Sequence, residues 1–287
     1  MATSDRHAGR VRFHPPSRPA LRRLLEQLEG RPWREVLNRS DDPELKSSRS
    51  WFQNRRKGLF YAMMDCPRSA KVLDIGAGSG IVAETLAEYY DDIVALEWDR
   101  DFAEFLKVRF EQDGQANVRV SEGSGLPLPF EDSAFDFVVM DGTVPRLEHA
   151  QPEGAGELLN DLVTECFRVL TPAGWFAMAV ENRDYVRRIL PGSDHRVPGS
   201  KPRSPRGYRR LVEAAGFTDF ELYWAVPEHN DPMLVLPLVD HDLTRQHLMS
   251  SAFLPRTRWK RKVYAALLAT GIVSPLMHSM YVVGRKP

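Results

Sequence analysis

From about residue 71 the chain alternates between two hydrophobic rhythms. Short apolar runs of strand length are each followed by a stretch whose apolar positions recur every three or four residues. The runs predict strands at 71–75, 93–97, 117–121, 135–140, 174–181, 218–226 and 279–285, and the longer stretches predict helices at 80–90, 101–112, 155–169 and 206–215. Strands that alternate with helices pair in parallel and bury both faces of their sheet under helices, so the class is α/β.

The ends of this rhythm are less regular. Residues 1–18 read as a loose arm, because Pro15, Pro16 and Pro19 argue against an early helix. A short helix is expected at 21–28, a turn at Asp41-Asp42-Pro43, and a helix over 51–64 with Phe52, Leu59, Phe60 and Met63 as its apolar positions. Between the last two strands lies an insertion, 227–277. It holds Met233-Leu234-Val235-Leu236-Pro237-Leu238, a mixed helix from Leu243, a basic run at 256–262 and an apolar helix at 263–272. The organisation expected is an N-terminal arm and helical cap at 1–65, a core at 66–226, a lid-like insertion at 227–277 and a last core strand at 278–287.

The densest local signal is Val72-Leu73-Asp74-Ile75-Gly76-Ala77-Gly78-Ser79-Gly80. An apolar strand ends beside an acid, three glycines alternate, and a helical pattern starts at Ile81. Such a turn lets the backbone approach a nucleotide-like ligand closely. A dinucleotide fingerprint would place its third glycine where Ile81 stands, and a pyrophosphate has no use for an anion just before the turn. Asp74 suits a cationic or neutral ligand better. Glu97 closes the second apolar run, about 20 residues on, where such folds place the acid that grips a ribose diol. S-adenosylmethionine combines a sulfonium, an ammonium, a ribose and an adenine. Asp74 would meet the ammonium, Gly76, Ala77, Gly78 and Gly80 would admit the amino-acid part, Glu97 would take the ribose hydroxyls, and Trp98 would cover one adenine face.

On these residues the chain resembles the class I S-adenosylmethionine-dependent methyltransferases, most closely their bacterial small-molecule, quinone-methylase-like group. Residues 72–80 match the first motif, and Ala95-Leu96-Glu97-Trp98-Asp99 matches the second. Gly123-Ser124-Gly125-Leu126-Pro127-Leu128-Pro129-Phe130, with Phe135-Asp136-Phe137-Val138-Val139, matches the adenine-side loop and fourth strand. Arg168-Val169-Leu170-Thr171-Pro172-Ala173-Gly174-Trp175 matches the turn before the fifth strand. The resemblance implies a Rossmann-like, seven-stranded, mostly parallel sheet with helices on both faces and 279–285 as an antiparallel last strand. It implies S-adenosylmethionine as cofactor and S-adenosylhomocysteine as product. It also implies Gly123 and Ser124 on the adenine side, Asp141 near the methionine end, and the N-terminal region as a cap over the mouth of the site. The family often has Asp where this chain has Ser124; Glu122 lies two residues away.

Composition narrows the remaining choices. The 287 residues suffice for one large α/β domain with additions, and 43% are hydrophobic. The formal net charge is +0, so no global field draws the chain to nucleic acid or anionic lipid. Charge is nevertheless segregated, with an Arg-rich start, an acidic middle and the basic run at 256–262. Cys66 and Cys166 read as reduced thiols, which with the absence of a secretory pattern suits a cytoplasmic location. No Cys/His cluster has metal-ligand spacing, so no metal is expected.

The acceptor side is less legible. Acceptors in such sheets sit beyond the carboxyl ends of the strands. The fourth strand leads to Asp141-Gly142-Thr143 and then His149, and the loop after the fifth contains Asp194-His195. Asp141, His149 and His195 are the candidates for acid–base work there. Base-methylating relatives carry Pro-Pro-aromatic after the fourth strand, whereas Gly142-Thr143-Val144 stands here, against a nucleic-acid substrate. The insertion reads first as a lid over the acceptor, second as peripheral membrane contact through 256–272, and last as an RNA surface. The expected function is methyl transfer to oxygen or nitrogen of a small organic acceptor such as a sugar, glycoconjugate or secondary metabolite. Two alternatives are a membrane-surface C-methyltransferase acting on a quinone or lipid-linked acceptor, and a non-catalytic cofactor-binding regulator. Sequence leaves the oligomeric state open.

Overall fold

The computed structural model describes residues 15–28, 30–123, 126–144, 154–185, 202–238, 262, 266–267 and 276–287. The core is one sheet of eight strands: β1 (Lys71–Ile75), β2 (Asp92–Glu97), β3 (Val118–Glu122), β4 (Phe135–Asp141), β5 (Leu170–Glu181), β6 (Thr218–Val226), β7 (Leu234–Pro237) and β8 (Ser279–Arg285). Their spatial order is β3-β2-β1-β4-β5-β8-β6-β7. The first five pair in parallel. β8 runs antiparallel between β5 and β6, so β6 again points the same way as β5.

The eighth strand corrects the expected count of seven. Residues 234–237, read as the start of the insertion, pair antiparallel with β6 through Val226↔Leu234 to Tyr223↔Pro237. Pro237 ends this edge strand, where a missing N–H breaks no central ladder. The mixed helix from Leu243 and nearly all of the basic run and apolar helix lie outside the described residues.

Before the sheet come α1 (Arg18–Glu26), α2 (Trp33–Arg39), α3 (Pro43–Gln53), α4 (Arg56–Leu59) and a 3-10 turn at Tyr61–Met63. Helix α1 begins three residues earlier than expected. Its prolines do not delay it, because Pro19 sits in the first turn, where its missing N–H is not needed, and Ser17 Oγ caps Ala20 N at 3.4 Å. The turn at Asp42 is the cap of α3, with Oδ1 accepting from Glu44 N at 2.9 Å. The single helix expected over 51–64 is broken at Asn54, whose backbone leaves the helical region (φ −82°, ψ 88°). Its amide donates to Asn230 O (2.9 Å) and Asp231 Oδ1 (3.0 Å). A distant loop thus competes for the residue the helix needed.

In the core follow α5 (Ile81–Leu86), α6 (Arg100–Gln112), α7 (Ala155–Val169) and α8 (Pro205–Ala214). α5 stops short of the expected 90 because Asn117 Nδ2 donates to the carbonyls of Ala87 and Tyr90, both at 2.8 Å. Helices α2 and α3 pack on α6 through aromatic edges: Trp33 on Phe105, Phe52 on Phe105 and Trp51 on Phe102.

Side chains alternate across the strands. One face carries Leu73, Ile75, Val138, Met140, Phe176, Met178 and Val180 in a large core under α7 and α8. The other carries Val72, Phe137, Val139, Ala177, Ala179, Ala225, Tyr281 and Val283. The same alternation puts Asp74 and Asp141 on this second face. Three alanines there leave room for the stacked rings of Phe60 and Tyr281, 4.0 Å apart, with Tyr61 edge-on to Tyr281.

Candidate functional site

The carboxyl ends of β1, β2 and β4 meet at the glycine turn. Gly76, Gly78 and Gly80 all adopt left-handed backbone, at φ +72°, +55° and +79°. For Gly76 and Gly80 space also demands glycine. A Cβ on Gly76 would lie 2.7 Å from Thr143 Oγ1 and 3.0 Å from the Trp98 ring, and one on Gly80 2.5 Å from Leu106. The first glycine therefore lets β1, β4 and the Trp98 indole come together, and the third lets α5 start against α6. Thr143 closes the first junction by donating to Ile75 O at 2.6 Å.

Glu97 is wholly buried at the end of β2. Its Oε2 accepts from Gly78 N (2.8 Å) and its Oε1 from Asp99 N (2.9 Å). The residue expected to hold a ribose thus also holds the middle of the glycine turn and the entry to α6. Each carboxylate oxygen has a second lone pair, so gripping a diol and organising the turn are compatible. Trp98 is half-buried against Gly76, and Asp99 caps α6 by accepting from Asp101 N at 3.0 Å. Gly123 follows β3, donates to Glu97 O at 3.3 Å, and has Leu96 and Pro129 tightly about its Cα. Ser124, His149 and His195 lie outside the described residues.

Asp74 is 1% exposed and its Oδ2 makes no hydrogen bond among the described residues. Burial, reinforced by the nearby Asp141 carboxylate, pushes its pKa up to about 7. Asp141, also buried, is better supplied. Lys57 Nζ lies 2.9 Å from its Oδ1, and the Tyr61 hydroxyl donates to its Oδ2 at 2.8 Å. Burial and the Asp141 charge hold the Tyr61 phenol well above its ordinary range, so it stays a donor. Lys57 comes from α4 and Tyr61 from the 3-10 turn after it, so the cap contributes directly to the carboxyl end of β4. Neither was legible in the sequence, where 51–64 was read only for its apolar positions.

A second buried network braces the turn from outside. Arg109 of α6 is fully buried and donates to Ser79 O (2.5 Å) and Phe52 O (3.0 Å). It is ion-paired to Glu84 of α5, which also meets Arg34 of α2 at 2.8 Å. The guanidinium lies over the Trp33 ring, 4.4 Å from its centroid. Burial alone would raise the Glu84 carboxyl, but Arg109 and Arg34 hold it below its ordinary value.

A buried carboxylate oxygen with no partner among the described residues, beside a turn whose Gly76 and Gly80 have no room for a Cβ, with a second buried carboxylate 23 positions along, fits a ligand bearing a cation and a diol. The family assignment agrees. Residues 73–178 match the family described as methyltransferase domain. The chain therefore carries a methyltransferase domain over this segment. A probable S-adenosylmethionine-dependent methyltransferase of Mycolicibacterium smegmatis is 27% identical over 177 residues, covering 61% of this chain and 62% of that one. The uncharacterized methyltransferase YcgJ of Bacillus subtilis is 31% identical over 81 residues, 28% of this chain and 32% of its own. A ubiquinone biosynthesis O-methyltransferase of Leptothrix cholodnii is 25% identical over 138 residues, 44% of this chain and 55% of that one. The chain thus spans less than two thirds of the length of these curated relatives. Among solved structures, YcgJ superposes with a TM-score of 0.53 at 18% identity, covering 82% of this chain and 99% of that one. The [4+2]-cyclase SpnF superposes at 0.54 and 18% identity, covering 96% and 98%. These likenesses establish the fold, and the second belongs to a protein named for another reaction. No helix among the described residues is long and apolar enough to cross a membrane.

Sequence reasoning also passed over His229. It stands just beyond the carboxyl end of β6, on the edge where the fourth and fifth strands had drawn attention to His149 and His195. The same criterion applied to every strand end would have found it.

Proposed function

We propose that this methyltransferase moves the methyl group of S-adenosylmethionine to an oxygen or nitrogen of a small organic acceptor. The observation that supports the reading is Asp74 Oδ2, a buried carboxylate oxygen beside the glycine turn that has no hydrogen-bond partner among the described residues. Such an atom is costly unless a cation meets it. When bound, the cofactor supplies a methyl already activated by the positive sulfur. Asp74 would hold its ammonium, Glu97 its ribose hydroxyls, Trp98 one adenine face, and Gly123 with Ser124 the adenine edge. Asp141, fixed by Lys57 and Tyr61, borders the space beyond β4 where the acceptor would lie. The chain's own work is to orient the two partners and exclude water; proximity of this kind supplies most of such a rate enhancement. Relatives named as O-methyltransferases support oxygen or nitrogen over carbon, and the paired, buried Lys57–Asp141–Tyr61 group supports a polar acceptor.

Calorimetry with S-adenosylmethionine and S-adenosylhomocysteine tests the first half; a folded protein that binds neither would overturn it. Incubation of the enzyme and methyl-labelled S-adenosylmethionine with small-molecule extract of the source cells tests the second. The labelled product is expected to carry a new O-methyl or N-methyl group.

A further inference from the structure

We propose that His229 is the group that receives the acceptor's proton, and that the acceptor presents a hydroxyl. This deepens, and rests on, the methyl-transfer reading above. β6 runs parallel to β5, so its carboxyl end opens on the same edge as those of β1, β4 and β5, where ligands of such sheets bind. Three residues past that end, His229 is 4% exposed, and its Nδ1 is buried without a hydrogen-bond partner among the described residues. A histidine that merely filled the core would satisfy that nitrogen.

The backbone around it is pinned from several sides. His229 N donates to Ser279 Oγ at 2.9 Å, and the Tyr281 hydroxyl donates to His229 O at 3.4 Å. The next two residues are clamped to the cap: Asn54 donates to Asn230 O and Asp231 Oδ1, and Arg56 meets Asp231 at 2.6 Å. The backbone that carries the imidazole is therefore fixed, while the buried Nδ1 keeps no hydrogen-bond partner among the described residues. The charged and titratable groups around it are Asp141 of β4, Lys57 of α4 and Tyr281 of β8, with Glu228 and His278 paired at 3.7 Å beside the loop. Burial, aided by Lys57, lowers the His229 pKa to about 4, while Asp141 opposes that shift. At neutral pH the ring is uncharged, and an imidazolium formed there would face the Asp141 carboxylate.

The step balances as follows. The acceptor oxygen forms a bond to the methyl carbon as the carbon–sulfur bond breaks. The electron pair of that bond stays on sulfur, giving S-adenosylhomocysteine, and the hydroxyl proton passes to the imidazole and later to solvent. Two buried residues at carboxyl ends of strands, Asp74 meeting the cofactor and His229 the acceptor, would then flank Asp141.

The test compares wild type with His229→Gln. Calorimetry with S-adenosylhomocysteine should give the same affinity within about twofold, because the proposal assigns His229 to the acceptor and not to the cofactor. Labelled methyl transfer into the cell extract should fall by roughly 10²–10⁴-fold, the usual contribution of a positioned proton acceptor. His229→Ala should lose as much and regain part of it with added imidazole, which a purely structural role would not show; it also serves if His229→Gln does not fold. The proposal is overturned if either variant keeps the wild-type rate, if cofactor affinity is lost with the histidine, or if the labelled product is N-methylated or C-methylated. In the first case methyl transfer itself stands. Absence of any labelled product with wild type overturns both readings together.

Discussion

At the scale of single residues, Asp74 is the most informative carboxylate. Its folded pKa of about 7 lies above the ordinary 3.8, so the fold binds this proton more tightly than the unfolded chain does. The stabilisation is complete below about 3.8 and is lost as pH rises towards 7, on the order of 4 kcal/mol in all. Replacing Asp74 by Asn removes this dependence. Thermal melts of ligand-free protein should therefore show the variant gaining on wild type between pH 5 and pH 8. A constant difference would mean that Asp74 is not buried as a charge. The same variant should lose most of its affinity for S-adenosylmethionine. Gly76 gives the complementary case, where the constraint is steric. Gly76→Ala combines left-handed backbone with a Cβ 2.7 Å from Thr143 Oγ1. It should lower stability by about 1–3 kcal/mol, read by urea titration, and abolish cofactor binding.

At the scale of elements, the glycine turn is braced by three helices as well as by its own glycines. Arg109 of α6 reaches Ser79 in the turn, Phe52 in α3 and Glu84 in α5, so one side chain fixes the cap relative to the turn. Removing one partner of a buried pair leaves the other charge uncompensated. Arg109→Met should cost about 3–5 kcal/mol in denaturant unfolding. Arg109→Met combined with Glu84→Gln should recover a large part of that loss, because no buried charge is then stranded. A double variant as unstable as the single one would place the cost in packing on Trp33. Elements also explain where expectation and structure part. The helix over 51–64 fails at Asn54 and α5 ends early at Leu86, in each case where a side-chain amide bonds a backbone carbonyl far along the chain. Periodicity in a window cannot register a partner 176 positions away.

At the scale of the molecule, the cap and the loop after β6 close over one edge of the sheet, joined by Asn54, Arg56 and Asp231. A ligand that binds only the folded state raises its stability by about 2.7 kcal/mol at a hundred times its dissociation constant. Saturating S-adenosylhomocysteine should therefore raise the melting temperature by a few degrees. No shift is expected for the Asp74→Asn protein at the same concentration. A shift of equal size in both would remove Asp74 from the binding site. The sheet order and the likeness to YcgJ and SpnF carry the fold without choosing the reaction, since proteins named for different chemistry share it.

The sequence by itself determined the strand–helix alternation, the glycine turn and the buried acid after the second strand. These depend on local rules: side-chain period, the left-handed backbone that glycine permits, and the fixed spacing of a βαβ unit. That Leu234–Pro237 would form an eighth strand was not legible, because a short apolar run acquires its role only from a neighbouring edge. Lys57, Tyr61 and His229 were equally silent. Each is an ordinary residue in its own segment, and their chemistry arises from burial beside Asp141, which is a property of packing. The sequence thus determined what the turn can hold. Only the tertiary structure decided what stands opposite it, because charges gathered from α4, β4 and the loop after β6 meet through the fold and not along the chain.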